Sequence, residues 1–300
     1  MPETHQKYPQ LQLFLNYLQF EKRYSINTVD AYRNDLEQFF LYLVENYDSL
    51  SLLEIKSSFI RSWLVSMKSG DISSKSINRK ASSLKSFFKY QLKLGSISTS
   101  PMISISTPKI KKRLPEFVLE EDLDTLLNIV EFPDNWKGKT ERLVIQVFYS
   151  TGMRLSELIN LKESDVDFSN SQLKVLGKGN KMRNIPLSND MLSLIRIYIS
   201  QKPKSIEEIK NLFVNEQGKK LQQRSVYAFV HNYLSLITTI KKRSPHILRH
   251  SFATHLMNNG ADLNAVKELL GHASLASTQV YTHNNIEKLK DIFNKAHPKA

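Results

Sequence analysis

Residues 96–115 read SISTSPMISISTPKIKKRLP, and this stretch divides the chain into two parts. It contains three prolines, five serines and no sustained apolar period, and each proline disfavours a helix at the residue before it. A length of 300 residues is more typical of two domains than of one. The pattern therefore predicts an extended, basic linker over residues 101–115, between a domain of residues 1–100 and a domain of residues 116–300.

The first 100 residues have the apolar spacing of amphipathic helices. One buried stripe is formed by Leu11, Phe14, Leu15 and Leu18. We expect a second helix to start near Asn27, because Asn is a good N-cap and Asp30 follows three residues later. Its apolar face would hold Val29, Tyr32, Leu36, Phe39, Phe40 and Leu43.

Two further helices are predicted before the linker, over residues 56–67 and 76–94. Gly95 follows the second of these at the position where glycine commonly ends a helix. On that helix the residues expected to face the core are Leu84, Phe87, Phe88 and Leu92.

Positive charge is concentrated in one part of the chain. Residues 55–115 contain 13 basic residues and one acid, Asp71, a net charge of +12, whereas the whole chain carries +13. A block of one sign predicts a polyanionic partner, either nucleic acid or an acidic membrane surface, although a merely basic surface is the simpler alternative. Nucleic acid is favoured because membrane-surface helices need a free apolar face. The residues expected to contact DNA are Lys75, Arg79, Lys85, Lys89, Lys93, Lys111, Lys112 and Arg113.

The composition excludes several classes of site. Without cysteine the chain has no disulfide, thiolate zinc site, iron–sulfur cluster or cysteine nucleophile. The first residues, MPETHQKYPQ, are polar and do not resemble a secretory signal, and no apolar run is long enough to cross a bilayer. We therefore expect a soluble, cytoplasmic protein.

The second domain is predicted to be mainly helical, with one β-hairpin. Residues 172–176 and 182–187 are short strand-like runs, and the GKGNK between them has the composition of a turn. Lys178 would lie near the tip of this hairpin. Pro186 favours an edge strand, because proline cannot donate a ladder hydrogen bond.

Three polar motifs of the second domain could carry chemistry. Arg154 and Glu157 are three residues apart in TGMRLSELINL, His246 and Arg249 are three apart in HILRHSFATHL, and LLGHASLASTQVYTH contains His272 and Tyr281. Taken alone, each is compatible with a surface ion pair, a capping histidine or a packed tyrosine. A metal site would need His246, His250, His255 and His272 together, but no HExxH motif or carboxylate accompanies them.

Together these motifs and GKGNK resemble the tyrosine recombinases, the phage-integrase superfamily, in the family's order and over nearly the whole chain. The match is closest to the Xer subgroup of bacterial chromosome-dimer resolvases. The resemblance implies a mainly α protein whose two domains clamp DNA: a helical core-binding domain, then a helical catalytic domain with a small antiparallel sheet. It also implies six catalytic residues, which are Arg154, Lys178, His246, Arg249, His272 and Tyr281.

The resemblance implies that Tyr281 attacks a DNA phosphate clamped by Arg154 and Arg249, with Lys178 as the general acid. The histidines would assist, and Glu157 is our candidate for holding Arg154. No metal, ATP or other cofactor is expected, because side-chain cations would neutralise the phosphate.

The implied partners are double-stranded DNA and further recombinase subunits. Family members act as tetramers, of one protein or with a paralogue, and a motor protein is a possible accessory. Residues 286–293 would dock on a neighbouring subunit through Ile286, Leu289, Ile292 and Phe293, and packing of this helix on its own domain is the alternative. The expected role is resolution of chromosome dimers at dif-like sites during segregation.

Two alternative functions stay open. An integrase of a mobile element is disfavoured because only about ten residues precede the first helix, too few for an arm-binding domain. A non-catalytic DNA-binding protein is disfavoured because all six catalytic positions are filled.

Overall fold

The computed structural model describes residues 8–48, 50–109, 116–177, 181–203 and 210–271. The chain divides into two compact units, Met1–Arg113 and Leu114–Ala300. Helices make up most of the described part of both units, and a small antiparallel sheet lies in the second. The predicted mainly α class with a small sheet is therefore confirmed. Within the described ranges, no helix has the length and apolarity that a membrane span requires.

The described part of the first unit is a bundle of helices around an aromatic core. Its helices are α1 (Pro9–Asn16), α2 (Ile26–Tyr47), α3 (Ser57–Ser69) and α4 (Ser74–Lys93). A π-helical turn, Tyr17–Glu21, continues α1, and a 3₁₀ turn, Leu52–Glu54, precedes α3. The core contains five phenylalanines that are almost completely buried, which are Phe14, Phe39, Phe40, Phe87 and Phe88.

Details of the first unit differ from the predictions made on local sequence. The N-cap of α2 is Ser25, whose hydroxyl accepts a hydrogen bond from the Thr28 amide, so the prediction of Asn27 was wrong. Leu92 was expected in the core but is 38% exposed, whereas Gln91 is fully buried. Positions 84, 87, 88 and 91 complete one helical stripe, and Leu92 lies beside it.

The segment predicted as an extended linker is packed on the first unit over residues 101–109. Pro101 accepts a hydrogen bond from the Ser57 hydroxyl at 2.7 Å, and Pro108 accepts one from the Asn78 amide at 3.0 Å. Met102, which lies between these two prolines in the sequence, is buried. Residues 110–115, which include Lys111, Lys112 and Arg113, lie outside the described residues.

The second unit contains helices that pack around one central helix, together with the small sheet. The helices are α5 (Glu120–Asn128), α6 (Trp136–Thr151), α7 (Leu155–Leu158), α8 (Asn189–Ser200), α9 (Gln223–Ile237), α10 (Pro245–Asn258) and α11 (Leu263–Leu270). Helix α6 is central: most of its residues are buried, and it packs against α8, α9 and α10. A 3₁₀ turn, Glu163–Asp165, leads into the sheet.

The sheet confirms the predicted hairpin and adds a strand to it. Its strands are β1 (Val166–Asp167), β2 (Gln172–Leu176) and β3 (Met182–Pro186), antiparallel in the order β1-β2-β3. Pro186 pairs with Gln172 and lies in an edge strand, as predicted. Lys178, the expected tip residue, lies outside the described residues.

A buried ion-pair network joins α2 and α4 in the first unit. Asp35 is 1% exposed, and its carboxylate accepts hydrogen bonds from Lys80 at 3.0 Å, from Ser83 at 2.8 Å and from Arg79. Lys80 is also buried, whereas the Arg79 side chain is half exposed. The other predicted DNA contacts on this helix, Lys75, Lys85, Lys89 and Lys93, are exposed.

We expect Asp35→Asn to destabilise the first unit strongly, because Lys80 would remain buried without its counter-charge. Breaking one partner of a buried ion pair costs about 3–5 kcal/mol. Asp30→Asn is the matched control, because it removes a partly exposed pair with Arg33 that is worth at most about 1 kcal/mol. Urea denaturation followed by circular dichroism compares the two variants, and equal losses would contradict a stabilising role for the buried network.

Candidate active site

A glycine turn at the end of α6 places Arg154. Gly152 has φ of +56°, and a Cβ atom there would lie 2.3 Å from the Phe252 ring. The chain therefore turns tightly against Phe252, and α7 begins three residues after Gly152, with Arg154 as its N-cap. The backbone N–H of Arg154 donates to Glu157 Oε2 at 2.7 Å, so the side chain of Glu157 caps the N-terminus of the short helix.

Glu157 is the centre of a buried cluster of charges. Its Oε1 accepts from Arg154 Nη1 at 2.8 Å and from Arg183 Nη1 at 2.9 Å, and its Oε2 accepts from Arg183 Nη2 at 2.7 Å. Burial alone would raise the pKa of Glu157, but the hydrogen bonds from Arg183 and Arg154 outweigh it and lower that pKa. Glu157 is therefore a carboxylate at neutral pH.

Three arginines meet at the C-terminal end of α11. Arg183 Nε donates to the carbonyl of Leu269 at 2.9 Å, Arg249 Nη2 to Leu270 at 2.7 Å and Arg154 Nη2 to Gly271 at 2.8 Å. The last carbonyls of a helix lack intrahelical partners and carry partial negative charge, so they attract cations. This helix end holds together residues that are distant in the sequence.

The guanidinium of Arg249 is buried but remains charged. Its Nη1 donates to the carbonyl of Gly152 at 2.6 Å, which ties α10 to the turn after α6. Burial, followed by repulsion from Arg154, lowers the pKa of Arg249 to about 10. A group with this pKa is still protonated at pH 7.

Arg154 and Arg249 retain the capacity to bind an anion. A guanidinium has five N–H donors, and in the part of the chain that the structure describes each of these two arginines uses two of them, on the protein groups named above. The Arg154 side chain is 28% exposed, so solvent or a ligand reaches it. Two adjacent guanidinium groups with remaining donors are suited to the oxygens of one phosphate.

The histidines of the candidate site differ in their surroundings. His246, at the start of α10, is exposed, with its ring 6.4 Å from that of Tyr227. His255 is buried, and its Nδ1 lies 2.9 Å from the Tyr149 hydroxyl. Burial lowers the pKa of His255, against the opposing effect of Glu120, which indicates a packed neutral histidine.

The remaining predicted site residues lie outside the described residues. They are Lys178, His272, Tyr281 and the segment 286–293. Among the described residues, no three His, Cys, Asp or Glu side chains are grouped so that they could hold a metal ion.

Arg183 is the site residue that sequence reasoning missed. It lies on β3 two residues before Ile185, and both side chains are buried on the same face of the strand. The sequence does show a charged residue two positions before an apolar residue of the same strand, where both share one face. An arginine buried on that face requires a partner, so this spacing could have indicated an ion pair.

Comparison with protein families accounts for both units. The Phage integrase family model matches residues 116–288, and the model of the phage integrase N-terminal SAM-like domain matches residues 11–95. The chain belongs to the phage integrase family. The resemblance to tyrosine recombinases stated from the motifs is therefore confirmed.

Relatives of this phage-integrase chain place it with the Xer proteins. It is 37% identical to Tyrosine recombinase XerC of Chlorobaculum parvum over 328 aligned positions, which cover 100% of this chain and 98% of the relative. Tyrosine recombinase XerC of Staphylococcus saprophyticus is also 37% identical, over 290 positions that cover 96% of this chain and 97% of the relative.

Solved structures of the family have the same fold. The XerH site-specific recombinase, in a post-cleavage complex with palindromic difH substrate, is 27% identical, with a TM-score of 0.68 over 89% of this chain and 79% of that chain. The Tn1549 transposon integrase, in complex with circular intermediate DNA, has a TM-score of 0.69 over 93% of this chain and 98% of that chain. At 19% identity the second likeness shows the fold alone.

We expect Gly152→Ala to be more destabilising than a glycine substitution at an open site. Both Gly152 and Gly260 have positive φ, so alanine costs about 1–2 kcal/mol at either position. At Gly152 the new Cβ would also collide with Phe252, which adds about 1–3 kcal/mol. A Cβ at Gly260 meets nothing within 4 Å, so this second cost is absent there. Urea unfolding of the two variants measures the difference. Equal stabilities would show that the turn relaxes without cost.

Proposed function

We propose that this protein is a site-specific tyrosine recombinase that resolves chromosome dimers at dif-like sites in the cytoplasm. It cuts and rejoins DNA through a 3′-phosphotyrosyl link and a Holliday junction. The observation that carries the proposal is the convergence of Arg154 and Arg249 at one helix end, where each has N–H donors that no described residue uses. Full-length similarity to proteins named Tyrosine recombinase XerC supports the same activity.

In the proposed reaction the two arginines bind the non-bridging oxygens of the phosphate that is cut. Negative charge on these oxygens grows as the nucleophile attacks, so fixed guanidinium groups stabilise the transition state more than the ground state. The hydrogen bonds to Glu157, Gly152 and the end of α11 hold the guanidinium groups in place before DNA arrives. A preorganised site does not have to spend binding energy on ordering these side chains.

Tyr281 is the proposed nucleophile, and its bond to the 3′-phosphate conserves the energy of the broken phosphodiester. The ordinary pKa of tyrosine is about 10, so the site must help to remove its proton, a task given to His246. Lys178 donates a proton to the departing 5′-oxygen, and His272 donates a hydrogen bond to a phosphate oxygen. Protein cations replace a metal in this scheme.

Residues 1–100 of the first unit form the proposed core-binding domain, and residues 116–300 form the proposed catalytic domain. Lys75, Lys85, Lys89 and Lys93 are exposed on α4, where phosphate groups are free to reach them. Arg79 is half exposed, and its bond to Asp35 orients the guanidinium. These contacts would position the duplex, while base contacts select the site.

Recombination of two duplexes requires four active sites, so the proposal includes a tetramer on DNA. The ring would contain copies of this chain alone or together with a paralogue, and a motor protein is the proposed accessory. Contacts between neighbours would be made by residues 286–293, whose apolar positions have helical spacing.

A nicked suicide duplex tests the chemistry. We expect a covalent protein–DNA adduct that forms in EDTA and is lost in Tyr281→Phe, because phenylalanine lacks the attacking oxygen. Tyr24→Phe, in the first unit, is the control and should react normally. The adduct is measured on denaturing gels, and its persistence in Tyr281→Phe would remove that residue from its role.

Salt dependence tests the basic block. The double variant Lys85→Gln, Lys89→Gln should bind DNA more weakly, and the slope of log K against log salt should fall by about 2, because each lost phosphate contact removes about 0.9. The matched control is Lys139→Gln, Lys174→Gln, two exposed lysines already paired with Asp134 and Asp167. Fluorescence anisotropy from 50 to about 300 mM salt gives both slopes. Equal slopes for the two doubles would show that α4 does not face DNA.

A further inference from the structure

We propose that Arg183 is a positioning residue for DNA cleavage, which acts by holding Glu157 and thereby Arg154. The inference rests on the proposed recombinase function and deepens it. Arg183 itself contacts neither Tyr281 nor DNA in this proposal. Arg183 acts through the carboxylate of Glu157, which it shares with Arg154, and through its contacts with the backbone next to other site residues.

The contacts of Arg183 are those of a rigid anchor. Its two Nη atoms donate to the two oxygens of Glu157 at 2.9 and 2.7 Å, and its Nε donates to the carbonyl of Leu269. The side chain is 4% exposed. A bidentate pair fixes both distance and plane, so Glu157 has one orientation from which to bind Arg154.

Two glycines make room for this guanidinium. A Cβ atom on Gly177 or on Gly271 would come within 3.2 Å of Arg183 Nη1. Gly177 immediately precedes Lys178, and Gly271 immediately precedes His272. Arg183 therefore packs against the chain at the two points from which the segments with the proposed general acid and nucleophile depart.

Arg183 also changes the charge that a phosphate would meet. With Glu157 as its only neighbour, Arg154 would be neutralised by its own anchor. A second arginine on the same carboxylate balances that negative charge, so Arg154, Arg183, Arg249 and Glu157 together carry a net charge of +2. Two uncompensated positive charges match the charge that develops on a phosphate under attack.

An ion pair with only a structural role would also explain the burial of Arg183. The test must therefore separate an effect on the stability of the protein from an effect on the position of Glu157 and Arg154. Loss of Arg183 removes the main hydrogen-bond donor of Glu157, and burial then raises the pKa of that carboxyl group. The rate of a variant without Arg183 should therefore acquire a titration step that the wild type lacks.

The experiment measures single-turnover adduct formation from about pH 5 to 8, on a nicked duplex carrying a site selected with this protein from a randomised library. For Arg183→Gln we expect a rate about 10–100-fold lower, with DNA affinity nearly unchanged, since binding depends on many other phosphate contacts. We also expect a new pH step, which should be absent in the double variant Glu157→Gln, Arg183→Gln.

Lys202→Gln is the matched control, because Lys202 is a buried cation paired with Glu163 at 2.6 Å outside the arginine cluster. It should lower the melting temperature but leave the rate and its pH profile unchanged. If Arg183→Gln does not fold, Arg183→Lys decides the question: it keeps the charge, loses the bidentate pair and should be about tenfold slower.

Two negative results are distinguishable. A folded Arg183 variant with the rate and pH profile of the wild type would overturn the positioning role alone. A wild-type protein that binds the selected site without forming an adduct would instead overturn the proposed function.

Discussion

The carboxylate of Glu157 is almost completely removed from water and accepts hydrogen bonds from two guanidinium groups and from the amide of Arg154. A buried charge without partners costs several kcal/mol, and three guanidinium groups without an anion between them would repel one another. The guanidinium groups stabilise the buried carboxylate, and the carboxylate reduces the repulsion between the guanidinium groups. The first turn of α7, strand β3 and the end of α11 are therefore held in one arrangement by a single negative charge.

The end of α11 completes this arrangement with backbone atoms. Three successive carbonyls, those of Leu269, Leu270 and Gly271, each accept a hydrogen bond from a different arginine. The last carbonyls of a helix have no partner within the helix, and leaving such oxygens unpaired in the interior is costly. The arginines donate the hydrogen bonds that the carbonyls at this helix end accept. Among the described residues, Arg154 and Arg249 keep donors for a further anion.

Elements that depend on regular spacing were predictable from the sequence, because the period of apolar residues is set by backbone geometry. The helices of the first unit and the hairpin of residues 172–176 and 182–186 follow from it. Choices between neighbouring residues were not predictable in this way. Ser25 rather than Asn27 caps α2, and Gln91 rather than Leu92 is buried, because packing selects among positions that local preference leaves nearly equal.

The pairing of Arg154 with Glu157 was suggested by their spacing, whereas the contact of Arg183 with the same carboxylate was not. Residues 157 and 183 are brought together by the route of the chain through α7 and the sheet, and no local pattern encodes that route. Arg183 was visible only as a charged residue on the core side of a strand. Long-range pairs of this kind need the fold before they can be recognised.

The bond from Arg154 to the Gly271 carbonyl holds Gly271 at the arginine cluster. Ten peptide units then lead to Tyr281, and a fully extended chain advances at most about 3.6 Å per residue. The length of the chain therefore limits the distance between the Cα atoms of Gly271 and Tyr281 to about 36 Å. The guanidinium that we propose binds the substrate phosphate therefore also holds the residue from which the chain continues towards the proposed nucleophile.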